Sequence, residues 1–214
     1  SGASSGRRDS VVGYAALALM PDPHNADEDE SPASHSRAIT GIARRAIGAA
    51  LRHAPAPSLP ADPWLQAPAA CFVSLHTPSG ALRGCVGTLE ARRPLAKEIA
   101  EQAVAAALRD PRFAPVEADE LPELHIAVSV LGATQALETP DEAALLAALR
   151  PGVDGLTVVA GERRATFLPQ VWQSLPEPRD FLAELKAKAG LPRDAAHTAL
   201  RYERYTAQTY EEAS

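Results

Sequence analysis

The sequence predicts an α+β domain built on a mostly antiparallel sheet covered by helices. Two pairs of short apolar runs are each joined by a tight turn. Cys71–His76 reaches Leu82–Gly87 through Pro78-Ser79-Gly80, and residues 156–159 reach Arg163–Phe167 through Ala160-Gly161-Glu162. Runs joined by so few residues pair as antiparallel hairpins. Helical segments alternate with them, in the order helix, hairpin, helix, strand, helix, hairpin, helix, strand. That order covers a sheet without the parallel crossovers of a doubly wound fold.

Each element has a local cause. Residues 1–6 are rich in Gly and Ser, and residues 11–19 are continuously apolar, like a short buried strand. Residues 21–36 hold Pro21, Pro23, Pro32 and the acid run Asp27-Glu28-Asp29-Glu30, and read as a linker. From Ser36 onward, Ile39, Ile42, Ala43, Ala46, Ile47 and Leu51 form one helical stripe, with Arg37, Arg44, Arg45 and Arg52 opposite. Pro55, Pro57, Pro60 and Pro63 end that helix and impose an extended stretch. Pro94 opens a second helix, whose Leu95, Ile99, Ala103, Ala106 and Ala107 form a small-residue face suited to close packing on a sheet. It stops before Asp110-Pro111. Leu124, Ile126, Val128 and Val130 alternate as a strand, and Pro140 opens a helix running to Leu149. Residues 171–175 form a short helical turn, residues 178–189 a helix, and residues 202–210 a final strand.

Bulk properties exclude several functions. A chain of 214 residues makes one large domain or two small ones. At this size roughly 70% of the unfolded surface is buried on folding, so a core forms without a staple. The two cysteines, Cys71 and Cys85, make neither a disulfide framework nor a four-thiolate zinc site, as expected of a protein of reducing cytoplasm. No run approaches the ~18 apolar residues of a membrane span. The net charge of -6 and the 5% aromatic content argue against a phosphate-tracking or base-stacking surface. The six histidines show no HxH or HExxH spacing, so no metal site is visible. No cofactor is indicated.

The first hairpin carries the best candidate chemistry: His76, Arg83, Gly84, Cys85 and Gly87. A thiolate nucleophile needs a base or a positive charge beside it, and His76 and Arg83 are near in sequence. Register decides whether they help. With a three-residue loop, Thr77 faces Ala81, Cys85 pairs with Val73, and His76 lies on the other face of the sheet. A two- or four-residue loop flips that parity. Arg83 and Cys85 share a face under any regular register. The simplest alternative makes Cys85 a small, mostly buried core residue, with Arg83 and the glycines shaping the site more than the thiol does. Gly84 and Gly87 sacrifice packing within a strand, which points to a bulge or a close approach of backbone or ligand. A cleft is expected beside Arg83, Gly84, Cys85 and Gly87, with Asp110 and Arg112 on its rim. Trp172 reads as a core anchor, and Lys186 and Lys188 as helix-end cations.

The hexapeptide Leu82-Arg83-Gly84-Cys85-Val86-Gly87 resembles the LRGCIG signature of the AMMECR1 family, whose bacterial and archaeal members are called AmmeMemoRadiSam system protein A. Further matching motifs are Asp110-Pro111-Arg112-Phe113, Val128-Ser129-Val130-Leu131, Pro151-Gly152-Val153-Asp154-Gly155, Thr166-Phe167-Leu168-Pro169-Gln170-Val171-Trp172 and Lys188-Ala189-Gly190-Leu191-Pro192. The likeness covers roughly residues 38–210, within a domain spanning 37–214. It implies a larger and a smaller lobe with a cleft near the signature. It also implies two partners, a Memo-like protein related to class III extradiol dioxygenases and a radical SAM protein. The expected role is a small-ligand enzyme or enzyme component, or else a non-catalytic binding or regulatory module for the Memo-like partner, with a nucleic-acid-binding module as the weakest alternative. The family has an aromatic, typically Trp, shortly after the Gly-Leu-Pro turn; this chain has Asp194-Ala195-Ala196-His197 there. Residues 1–20 resemble the last strand of a Memo-like domain, which suggests a fusion or its cleavage product. That strand is expected to pack on a neighbouring molecule or on its own domain.

Overall fold

A computed structural model describes residues 32–212. The expected strand at residues 11–19 and most of the acidic linker lie outside the described residues. Helix α1 (Pro32–Leu51) starts earlier than Ser36, so the last residues assigned to the linker form its first turn. Proline is tolerated there because the first turn's N–H groups lack intrahelical partners in any case. The proline-rich stretch that follows contains one short helix, α2 (Pro63–Gln66), whose Leu65 is fully buried.

The strands form two antiparallel four-stranded sheets, giving the α+β fold. In the first, β1 (Cys71–His76) lies between β2 (Leu82–Gly87) and β3 (His125–Leu131), and β8 (Ala207–Glu211) flanks β3. Helix α3 (Leu95–Leu108) and α1 cover one face. The expected apolar face of α3, Leu95, Ile99, Ala103, Ala106 and Ala107, is buried. Cys71, Val73 and Leu75 of β1 and Ile126 and Val128 of β3 meet it. The second sheet runs in the order β4 (Gln135–Leu137), β7 (Arg201–Tyr205), β5 (Gly155–Ala160) and β6 (Arg163–Phe167). Helices α4 (Glu142–Ala148) and α5 (Pro178–Lys188) contribute Leu145, Phe181, Leu182 and Leu185 to its separate core. Trp172 is the anchor of that core: its indole stacks on Phe181 with 3.8 Å between centroids and donates to the Asp154 carbonyl at 2.7 Å.

The expected single final strand is two strands in different sheets. β7 pairs within the second sheet and β8 within the first, with Thr206 between them. The segment after β3 makes the matching passage, since Leu131 pairs with Ala207 and Gln135 with Arg204. Gly132 N–H donates to the Thr206 carbonyl at 2.8 Å, where the two connections touch. A Cβ on Gly132 would lie 2.6 Å from Thr206 Oγ1, so any side chain there would have to turn the Thr206 hydroxyl aside. Among the described residues, no helix is long and apolar enough to cross a membrane.

Candidate functional site

The β1–β2 hairpin turns through three residues, as expected, with Thr77 N–H donating to the Ala81 carbonyl at 2.9 Å. His76 pairs with Leu82, but Leu75 then pairs with Gly84, leaving Arg83 as an extra residue on β2. This bulge overturns the regular-register expectation. Cys85 stands opposite Ser74 rather than Val73, and so on the face that Ser74 and His76 share. Arg83, released from the ladder, does not accompany Cys85. Its guanidinium binds both Glu120 carboxylate oxygens at 2.9 Å and the Ala114 carbonyl at 2.8 Å. Arg83 therefore ties the loop after α3 to the hairpin, and that contact holds the Glu120 carboxyl below its ordinary range.

The two glycines have different neighbours. A Cβ on Gly84 would sit 2.2 Å from the Ala106 carbonyl oxygen, so β2 approaches the α3 backbone directly. A Cβ on Gly87 would fall on the Phe72 ring at 2.3 Å. Gly87 thus lets that ring lie across β2.

Cys85 is half-buried and faces away from Gly84 and α3 by strand alternation. Ser74 Oγ donates to its Sγ at 3.2 Å. Its backbone is held by the exit of α3: Asp110 Oδ2 accepts the Cys85 N–H at 2.8 Å, and Arg112 Nη2 donates to the Cys85 carbonyl at 3.1 Å. Asp110 is 5% exposed and chelates the Arg112 guanidinium through Nε at 2.9 Å and Nη2 at 2.7 Å. The Arg112 contact, opposed by burial and aided by the Cys85 N–H, holds the Asp110 carboxyl far below the usual carboxylate range.

Across from this group stands the second sheet. A cavity of about 440 Å³ is lined by Phe72, Gly87, Thr88 and Glu90 on one side and by Thr166 and Lys188 on the other. Lys188 Nζ donates to the Thr166 carbonyl at 3.0 Å and lies 5.0 Å from the Phe167 ring centroid. Burial lowers its pKa, Cys85 opposes that shift, and Arg112 adds to it. Of the predicted site residues, Gly87 lines this cavity; Cys85 and Arg112 lie beside it, close enough to act on Lys188, with Asp110 bonded to both. Arg83 stands apart on the loop side. His76 sits at the hairpin tip in a separate groove with His125 and Glu212, its Nδ1 3.4 Å from the Gly80 carbonyl oxygen. Among the described residues, no group of three His, Cys, Asp or Glu side chains is placed to hold a metal ion.

Lys188, Ser74, Phe72 and Thr166 are site residues that the sequence reading missed. One signal was available for Lys188. Positions two apart on a helix face different ways, and Lys186 and Lys188 do so. Lys186 is buried and binds Glu142 at 2.6 Å and the Ala195 carbonyl at 3.1 Å, leaving Lys188 for the cleft.

With this geometry in place, comparison with known proteins identifies the lineage. The AMMECR1 family model matches residues 40–210. The chain belongs to the AMMECR1 family. A Methanothermobacter thermautotrophicus protein is 38% identical over 184 residues, covering 82% of this chain and 93% of that protein. Protein MJ0810 of Methanocaldococcus jannaschii is 36% identical over 149 residues, covering 66% and 72%. The crystal structure of uncharacterized protein PH0010 from Pyrococcus horikoshii superposes with a TM-score of 0.76 at 35% identity, covering 81% of this chain and 89% of that one. The family's signature hexapeptide is the bulged strand β2.

Proposed function

We propose that this chain is a small-ligand enzyme, or the ligand-bearing component of one, working at the cleft between its two sheets with the Cys85 thiol as its reactive group. One observation carries the reading: Cys85 is partly accessible, holds a Ser74 hydroxyl on its sulfur, and has the Arg112 cation bonded to its own carbonyl. A thiol open to reagents, with a polar donor on its sulfur, is placed to meet a ligand in a way a sealed thiol is not. Cys71 is its internal contrast, since it is fully buried and its pKa is pushed up by that burial. Family membership supports a Memo-like, dioxygenase-related protein and a radical SAM protein as partners, in a reducing cytoplasm where Cys85 stays a thiol. The likeness of residues 11–16 to a Memo-like strand supports the first pairing.

A second reading, a non-catalytic module regulating the Memo-like partner, is favoured by a different observation. Arg83 is committed to Glu120 and His76 to the hairpin tip, so neither candidate base or cation from the hairpin reaches the thiol. Cys85→Ser separates the two. For an enzyme component it abolishes turnover by the reconstituted three-protein system. For a regulatory module it leaves that turnover within about twofold and only Arg83→Ala or loop variants reduce it.

A further inference from the structure

Resting on the cleft as the working site, we infer that its ligand is a small organic acid whose anionic group is held by Lys188, with Arg112 as the second cation and Phe72 against the apolar body. The charges in the cavity and beside it lead there. Arg164 is paired with Glu203 at 2.9 Å and with Glu90 at 3.6 Å, and Glu90 also pairs with Arg92. Lys188 has no carboxylate partner among the described residues. One of its three N–H donors is used, on the Thr166 carbonyl. Arg112 spends Nε and Nη2 on Asp110 and Cys85, and its Nη1 meets no acceptor among the described residues.

The local sum is therefore positive: Asp110 offsets Arg112, and Lys188 stands over. Arg112 acts unfavourably on Lys188. An anion bound between the two relieves that repulsion, whereas a neutral or cationic ligand does not. About 440 Å³ suits the size of a small ligand. The half-buried Phe72 ring, laid over Gly87, gives the rest of that ligand an apolar surface. Helix α5, packed on the second sheet, thus supplies specificity through Lys188 to a thiol carried by the first.

Two alkylating reagents of nearly equal size, anionic iodoacetate and neutral iodoacetamide, test this at Cys85 by site-resolved mass spectrometry. The rate ratio of iodoacetate to iodoacetamide is expected to be about fivefold or more higher in the native protein than in urea, the effect of one cation at short range. Lys188→Met should return the ratio to the urea value while leaving the iodoacetamide rate within about twofold, and Lys188→Arg should keep it. Equal ratios in native and unfolded protein, with Cys85 still labelled, overturn the anion site and leave the thiol reading standing. If neither reagent reaches Cys85, the thiol reading fails, and amide NMR decides the anion site alone. Malonate or inorganic pyrophosphate should then shift Gly87, Arg112, Thr166 and Lys188 in the native chain but not in Lys188→Met. The stronger of the two anions tells carboxylate from phosphate, and no shift with either overturns the inference.

Discussion

Asp110 does more than close a helix. Its carboxylate fixes the Cys85 N–H and the Arg112 guanidinium together, which holds β2 to the exit of α3. Asp110→Asn is expected to cost about 2 kcal/mol, the scale of a hydrogen bond to a charged group, with half-exposed Arg112 keeping the loss below that of a buried ion pair. The pH dependence has a definite sign. A carboxyl depressed in the folded state stabilises fully above its unfolded pKa of about 3.9 and loses that contribution as pH falls toward the folded value. Urea midpoints of wild type and Asp110→Asn should differ most near neutral pH and converge well below pH ~4. A gap that persists undiminished at low pH contradicts the assignment. Gly84→Ala should also destabilise, by about 1–3 kcal/mol, because its Cβ meets helix backbone that cannot yield. Equilibrium unfolding measures this, and a neutral effect would mean that β2 and α3 are not so closely packed.

At the scale of elements, the bulge at Arg83 reorganises the hairpin. It turns Cys85 onto the Ser74 face and sends Arg83 to the loop after α3. Arg83→Ala should raise amide exchange at Val116 and Glu120, which that loop holds, while the native labelling rate of Cys85 changes little. A large change in Cys85 labelling would give Arg83 a direct part in the site. The hairpins, α3 and the alternating β3 were legible because burial on one face imposes a periodicity the residues must obey. A bulge was one of two readings that Gly84 and Gly87 offered, but its place at Arg83, which sets the register of Cys85, was not legible, since one extra residue inside a strand leaves that composition unchanged. Nor was the division of residues 201–211 between two sheets: β7 and β8 are both strand-like, and only their partners differ. Lys188 was passed over because a lysine in a helix's last turn is already favourable there, and its divergence from Lys186 was the one signal that set it apart. Asp110 and Arg112 were read as rim residues from their place beside the signature, and they lie beside Cys85.

At the scale of the whole molecule, two sheets with separate cores are joined where Gly132 meets Thr206. The cleft lies between them, so its geometry depends on both cores. Phe181→Ala, which removes a fully buried ring stacked on Trp172, should cost about 3–5 kcal/mol. Hydrogen exchange should show lost protection in β5 and β6 well before β1, and equal loss in all three would mean a single cooperative core. The first sheet carries the thiol beside the cleft, and α5 on the second brings a cation with no carboxylate partner among the described residues. The most direct test of a working thiol there is site-resolved alkylation of the native protein with iodoacetamide, followed at both cysteines. Cys85 should label in the folded state while Cys71 stays unmodified until the chain unfolds. If both remain unmodified until unfolding, Cys85 is a packing residue and the cleft does not work through its sulfur.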